Sequence, residues 1–234
     1  MRGGRISRPM NVRLRTYLLI ALVAPAACSD RPAPPPVVGP TPDSFHVALA
    51  TSKGDVVVAV YKSWSPHGAD RFYRLVSEGF FDDQRFFRVI PQYIAQFGAS
   101  ADPKKNDRWD DDKIPDDPRT QSNARGTLSF AAEAPNTRSH QLFFNLKDNP
   151  KLDPQNFIPI GRVVDGMSVL DSLYDDYGDT PKYRLVATLG NEYLHRMFPR
   201  MDYIKSARIV GAPNAASSGT PAAASSTPPS AAKP

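Results

Sequence analysis

The sequence predicts a mainly β domain, built as a closed antiparallel sheet that is capped by helices. Runs of β-branched and aromatic residues recur along the chain at strand length, whereas only two segments have the apolar spacing of a helix. The first two runs flank a turn sequence, which is typical of a β-hairpin. Since helices and strands do not alternate, a parallel sheet of βαβ units is not expected.

The domain opens with a hairpin and a helix. Residues 45–61, FHVALATSKGDVVVAVY, place two β-branched runs around the turn SKGD. Residues 65–83 have helical spacing, with Ser65 as a candidate N-cap and Pro66 suited to the first turn. The apolar face of this helix is formed by Ala69, Phe72, Tyr73 and Val76.

The rest of the domain is predicted to be mostly strand. Residues 86–100, FFRVIPQYIAQFGAS, read as a buried strand, and a long polar loop follows at 101–126. A second short helix is predicted at 165–174. Further strands are predicted at 127–133, 141–146, 157–164 and 203–210.

Residues 1–28 have the parts of a secretory signal: a basic start, an apolar core at 16–24 and small residues before Cys28. The apolar core is too short to span a bilayer. Cys28 is the only cysteine, so no disulfide can form within the chain, and it lies where a lipoprotein signal would be cut. We expect Cys28 to be lipidated, although Pro25 stands where leucine is usual. Ordinary secretory cleavage nearby is the alternative.

Composition divides the remaining chain into three segments. Residues 29–43 are proline-rich and predict an extended linker, whereas 212–234 are Ala/Ser/Pro/Thr-rich and predict a disordered tail. The folded domain is expected at 44–211. The formal charge of +5 comes from five arginines in the signal, because the other 24 basic residues equal the 24 acidic ones. This neutral balance argues against nucleic-acid binding.

Arg88 lies within an apolar stretch that contains no cysteine and no serine–histidine pair. An arginine in this setting is commonly a side chain that snorkels or pairs with a carboxylate. Here apolar and aromatic residues surround it, and Gln96 follows eight residues later. An aromatic surface with a few polar groups suits an apolar ligand that is held in one orientation.

No metal or cofactor is expected. The four histidines are scattered without metal-ligand spacing, and the acidic stretch 107–117 lacks the glycine and terminal glutamate of a helix–loop–helix calcium site. A solvated loop is the favoured interpretation of that stretch.

Three blocks of sequence carry a resemblance to a known family. They are FFRVIPQYIAQFG, GTLSFAAEAPNTRSHQLFFNL and LDPQNFIPIGRVVDGMSVLD. Together with the hairpin and helix at the start of the domain, they resemble the cyclophilin family of peptidyl-prolyl cis–trans isomerases over about residues 45–210. The resemblance implies an eight-stranded antiparallel β-barrel capped by two α-helices, with the active groove on an outer face.

The resemblance also implies which residues form the site. Arg88 and Gln96 occupy the positions of catalytic residues, and Gln96 is expected to orient Arg88 through a hydrogen bond. The implied substrate-binding residues are Phe87, Tyr93, Ile94, Ala131, Ala132, Gln141, Phe143, Leu152 and Phe157.

Four positions depart from the family pattern. Gln92 and Phe97 replace common glycines, and Tyr93 replaces a phenylalanine. Lys151 stands where many members have a tryptophan that helps bind cyclosporin.

The function expected from this resemblance is isomerisation of X–Pro bonds in exported proteins, by a monomer anchored to the membrane through lipid and facing the periplasm. A soluble periplasmic protein is the alternative location. Proline-containing polypeptides are the expected partners. A tethered module that binds proline segments without turnover is the competing hypothesis, and a structural role in the envelope is a third.

Overall fold

The computed structural model describes residues 39–211. The predicted signal segment 1–28 with Cys28, most of the linker 29–43 and the tail 212–234 lie outside the described residues.

All strands belong to one nine-stranded antiparallel sheet, in the order β3-β9-β1-β2-β8-β6-β7-β5-β4. The two edge strands, β3 and β4, are separated in the chain only by Phe86 and Phe87. The chain thus passes directly from one edge of the sheet to the other, which requires the sheet to curl. The described sheet has nine strands where eight were predicted, with the two short strands β3 and β4 following each other in the chain. The strands are β1 Ser44–Thr51, β2 Asp55–Tyr61, β3 Gln84–Arg85, β4 Arg88–Ile90, β5 Ile94–Phe97, β6 Thr127–Phe130, β7 Leu142–Asn145, β8 Pro159–Asp165 and β9 Tyr203–Val210.

The predicted mainly β, cyclophilin-like fold class is confirmed, and the described chain has more helix than predicted. The two predicted helices correspond to α1 and α3, whereas α2, α4 and a 3-10 turn were not predicted. The helices are α1 Pro66–Ser77, α2 Pro103–Asp110, α3 Met167–Asp171 and α4 Tyr183–Met197, and the 3-10 turn is Pro150–Gln155.

The two unpredicted α-helices lack a continuous apolar stripe. In α2 only Asn106 and Trp109 are buried, so the segment reads as polar loop. In α4 two helical pieces meet at Gly190, whose φ of 58° and ψ of −149° interrupt the helical period. Neither segment gives the regular 3.6-residue pattern on which the prediction of helices depends.

The interior of the curled sheet is filled by alternating residues of the strands. In β1, Phe45, Val47 and Leu49 are buried, and the residues between them are half-buried. Helix α1 packs against the sheet through its buried side chains Ala69, Phe72, Leu75 and Val76.

The start of α1 is capped by Asp117 and not by Ser65, contrary to the prediction. The Asp117 carboxylate accepts hydrogen bonds from the backbone N–H groups of His67 and Gly68, each at 3.1 Å. The Ser65 hydroxyl donates to the same carboxylate. Arg138, whose side chain is fully buried, donates to it at 3.0 Å. This network attaches the long polar loop to the first helix.

Among the described residues, no helix combines the length and the apolar character that crossing a membrane requires.

Candidate active site

Arg88, Gln96 and Phe143 form one row across three neighbouring strands. Arg88 on β4 pairs with Gln96 on β5, which in turn pairs with Phe143 on β7. Directly paired residues project to the same face of a sheet, with Cβ atoms about 5 Å apart. The adjacent residues Val89 and Ala95 belong to the interior core. The charge in the apolar stretch therefore lies on the outer face of the sheet.

An apolar pocket of about 180 Å³ opens beside this row. Ile94, Phe143 and Leu152 are buried at its centre, and the rings of Phe143 and Phe157 meet edge to face at 5.5 Å. The 3-10 turn supplies Leu152. The pocket is lined by Arg88, Tyr93, Ile94, Gln96, Ala131, Ala132, Phe143, Leu152 and Phe157, all of which the sequence predicted as site residues.

Phe87 does not line this pocket, contrary to the prediction. Its side chain is 3% exposed and packs in a second apolar cluster with Val186 and Phe198. Its ring lies 5.8 Å from that of Tyr183 on α4. Since the strand is interrupted at Phe86 and Phe87, the alternation of faces breaks there, and Phe87 turns towards a helix that was not predicted.

The turn between β4 and β5 fixes the position of Tyr93. Gln92, where the family commonly has glycine, adopts a left-handed φ of 51°. The backbone N–H of Tyr93 donates to Ile90 at 3.0 Å. Its carbonyl accepts from the Leu146 N–H and the Asn149 side chain, each at 2.9 Å. This clamped backbone holds the Tyr93 ring at the edge of the pocket.

Gln96 does not hydrogen-bond Arg88, contrary to the expected pairing. Its side-chain amide donates instead to the side-chain oxygen of Gln141 at 3.0 Å. The Arg88 Nε donates to the carboxylate of Asp179, a residue in the loop between α3 and α4. Gln141, which was predicted in the site, does not line the pocket but is hydrogen-bonded to Gln96, which does.

Arg88 keeps part of its guanidinium accessible. The side chain is 31% exposed, and its Cζ lies 6.0 Å from the centre of the Tyr93 ring. Hydrogen bonding from Arg88 holds the pKa of Asp179 below its usual range, so the carboxylate is charged at neutral pH. In the described part of the chain, Asp179 is the one hydrogen-bond partner of the Arg88 side chain.

A second recess of about 470 Å³ adjoins the pocket. Asp110 and Tyr183 line one side of it, and Asp110 accepts from His140 at 2.9 Å and from Tyr183 at 3.4 Å. The hydrogen bond from His140 lowers the pKa of Asp110, whereas burial raises the pKa of the Tyr183 hydroxyl. The recess therefore combines a charged carboxylate with a neutral phenol. It shares with the pocket Gln96, Ala131 and Ala132.

A third cavity does not suit the same ligand. It also measures about 470 Å³, lies between Pro91, Leu146 and the Arg125–Asp171 ion pair, and has no aromatic side chain in its lining. Within residues 39–211, no group of three or more His, Cys, Asp or Glu side chains is placed to hold a metal ion.

Three residues of this region were not predicted from the sequence: Asp110, Asp179 and Tyr183. All three lie in or beside helices α2 and α4, which were not predicted. The segment DDYGDTPKYRL contains Asp179 and Tyr183, but its composition is that of a solvated loop. The sequence gives no signal that distinguishes them from surface residues.

Comparison with known proteins identifies the family to which this geometry belongs. The family model for "Cyclophilin type peptidyl-prolyl cis-trans isomerase/CLD" matches residues 46–188. The chain is 36% identical over 130 residues to "Peptidyl-prolyl cis-trans isomerase ppi1" of Schizosaccharomyces pombe, covering 53% of this chain and 81% of that protein. It is 33% identical over 145 residues to "Peptidyl-prolyl cis-trans isomerase CYP18-2" of Arabidopsis thaliana, covering 58% and 86%.

Solved structures agree on the fold. A cyclophilin type peptidyl-prolyl cis-trans isomerase of Cryptosporidium parvum superposes with a TM-score of 0.55 at 22% identity, covering 73% of this chain and 99% of that one. Cyclophilin AquaCyp293 of Hirschia baltica gives 0.54 at 18% identity, covering 70% and 73%. From the family match, the relatives and the fold, the chain belongs to the cyclophilin family and is a peptidyl-prolyl cis–trans isomerase.

Proposed function

We propose that this isomerase accelerates X–Pro bond rotation in exported proteins, with Arg88 as the catalytic residue. The observation that carries the proposal is the position of Arg88, whose partly exposed guanidinium lies at the rim of an apolar, aromatic-lined pocket. The pocket would hold the proline ring, and the guanidinium would face the bond that rotates.

The chemistry requires neither a nucleophile nor a metal ion. Amide resonance opposes rotation of the X–Pro bond with a barrier of about 18–20 kcal/mol. As the bond twists, the prolyl nitrogen becomes pyramidal and its lone pair localises. A guanidinium N–H can bind that lone pair more strongly than it binds the planar amide, which is the differential binding that lowers a barrier. Arginine suits this role because it is always protonated and has several donors.

The pocket would hold one side of the X–Pro bond fixed, which rotation about that bond requires. Ile94, Phe143 and Leu152 form its buried floor, and Tyr93 and Phe157 pack at its edges. A proline ring held there stays fixed while the preceding residue turns. The apolar surroundings also strengthen the contact between Arg88 and the twisted amide, because charge is screened less at low dielectric.

The peptide before the proline is proposed to lie along the second recess. Ala131 and Ala132 line both the pocket and the recess, and the Ala131 N–H is anchored to the Gln141 carbonyl at 2.9 Å. Gln96 lines both cavities, and its hydrogen-bond partner Gln141 lines the recess, so Gln96 lies at the boundary between the two. We assign Gln96 the role of shaping this boundary, since its amide is directed away from Arg88.

The site of action is proposed from the ends of the sequence. The signal-like segment 1–28 and the position of Cys28 support an exported lipoprotein that faces the periplasm, with the linker 29–43 between the membrane and the domain. We propose that the protein acts as a monomer. Globomycin-sensitive processing of the precursor would support lipidation of Cys28. A mature N-terminus beyond Cys28 would contradict it and would favour a soluble periplasmic protein.

The catalytic proposal is tested with an X–Pro peptide and the chain from residue 29 onward. Arg88→Ala is expected to lower the catalysed rate by about 10²–10³-fold, the usual effect of removing one transition-state donor. Arg162→Ala is the matched control, because Arg162 is exposed on β8 and does not line the pocket. Normal turnover by a folded Arg88→Ala protein would show that the catalytic group lies elsewhere.

A further inference from the structure

The loop between α3 and α4 places one carboxylate against Arg88. Asp179 lies 91 residues away from Arg88 in the chain, and it accepts the hydrogen bond of the Arg88 Nε. Gly178 has a left-handed φ of 47°, and a Cβ at this position would lie 3.8 Å from the Ile90 Cδ1 atom of β4. The loop therefore lies against the strand that bears Arg88.

This loop is anchored on both sides of Asp179. Its turn is closed by backbone hydrogen bonds, from the Gly178 N–H to the Asp175 carbonyl at 2.9 Å and from the Thr180 N–H to the Tyr177 carbonyl at 2.8 Å. The Tyr177 ring packs edge to face against Phe198 at 5.1 Å. Phe198 belongs to the apolar cluster that also contains Phe87, the neighbour of Arg88. These contacts fix the position of the Asp179 loop relative to the backbone of Arg88.

The arginine needs such a partner because a long side chain has many rotamers. Fixing an arginine side chain in one conformation costs it rotamer freedom. Gln96 does not supply this restraint, since its amide is bonded to Gln141. A contact at Nε restrains the plane of the guanidinium and leaves the two terminal nitrogens available for a substrate.

We propose that Asp179 is the residue that positions the Arg88 guanidinium for catalysis. The inference rests on the proposed catalytic role of Arg88. Asp179 acts through Arg88 and does not itself contact the peptide. Because both side chains are partly exposed, at 65% for Asp179 and 31% for Arg88, their ion pair contributes little to folding. We expect the ion pair to affect kcat and not the free energy of unfolding.

The test compares kcat and KM on an X–Pro peptide, using the chain from residue 29 onward. Asp179→Ala is expected to lower kcat by about 5- to 50-fold, with KM changed less than threefold, because misplacing a catalytic group by about 1 Å can cost up to 10²-fold. Asp179→Asn, which keeps an oxygen that can accept from Nε, is expected to recover part of that loss. Asp175→Ala removes a charge from the same loop without touching Arg88 and is expected to behave as wild type.

A second readout separates positioning from a general effect on charge or folding. The Arg88 Nε–H resonance in a ¹⁵N NMR spectrum is expected to be protected from exchange in the wild type and in Asp175→Ala, and to exchange rapidly in Asp179→Ala. In an Arg88→Ala background, adding Asp179→Ala is expected to change kcat no further.

The outcomes distinguish the two proposals. An inactive Arg88→Ala with unchanged or increased kcat in Asp179→Ala would overturn the positioning role and leave Arg88 as the catalytic residue. Full activity of Arg88→Ala would overturn the catalytic role of Arg88 and the inference that rests on it. An equal loss in Asp175→Ala would show a general charge effect and would also overturn the inference.

Discussion

Phe143→Ala is expected to weaken peptide binding through the floor of the pocket. The Phe143 side chain is 3% exposed and meets Phe157 edge to face. Burial of a phenylalanine contributes about 1.5–3 kcal/mol, and an aromatic pair adds about 0.5–1.5 kcal/mol. A bound proline contacts only the face of the Phe143 side chain that is directed into the pocket. We therefore assign about half of the total, roughly 1–2 kcal/mol, to binding. This corresponds to a rise in Kd of about 5- to 30-fold.

Phe144→Ala provides the matched control. Phe144 is the next residue of β7, is fully buried in the interior core, and stacks on Phe97 at 5.5 Å. Both truncations are expected to cost about 3–5 kcal/mol of stability, so circular dichroism must first establish that each variant is folded. Calorimetric titration with an X–Pro peptide then measures Kd. An unchanged Kd in Phe143→Ala, or an equal rise in both variants, would refute the assignment of this pocket to substrate.

Two further predictions concern stability. Asp117→Ala is expected to lower the free energy of unfolding by about 3–5 kcal/mol in denaturant titrations, because it leaves the buried Arg138 without its closest carboxylate partner; a loss under 1 kcal/mol would contradict this. Burial alone would raise the pKa of Asp117, but hydrogen bonds from Ser65, His67, Gly68 and Arg138 outweigh burial and lower it. The stability that the Asp117 carboxylate contributes is therefore complete above about pH 4 and is lost as the pH falls through the lowered pKa. Asp117→Asn, which cannot titrate, is expected to abolish this dependence of stability on pH. Gln92→Gly is expected to raise stability by about 1 kcal/mol, since φ at Gln92 is 51°; a lower melting temperature would show that the Gln92 side chain makes a compensating contact.

The parts of the fold that follow local patterns could be predicted from the sequence. The two β-branched runs around the turn SKGD indicated the hairpin, which the structure has as β1 and β2. The nine pocket residues came from the family blocks, whose strands are neighbours in the sheet. Phe97, a departure from the family pattern, lies in the interior core and does not contact the pocket.

What could not be predicted depends on contacts between distant parts of the chain. The family resemblance placed Phe87 in the groove, but α4 covers it, and the interruption at Gly190 hides that helix in the sequence. Asp117 replaces Ser65 as the cap of α1 from about fifty positions away in the chain. In both cases the local sequence suggested one contact, and a distant segment of the chain makes a different one in the folded protein.

The most direct test of the central claim measures peptide affinity and turnover separately in Arg88→Ala. If the guanidinium binds the twisted amide more strongly than the planar one, kcat falls by about 10²–10³-fold while the Kd for an X–Pro peptide changes less than about threefold. NMR exchange spectroscopy at saturating peptide gives the cis–trans rate on the enzyme, and titration gives Kd. A large rise in Kd with the on-enzyme rate intact would show that Arg88 only holds the substrate, and would contradict its proposed role in catalysis.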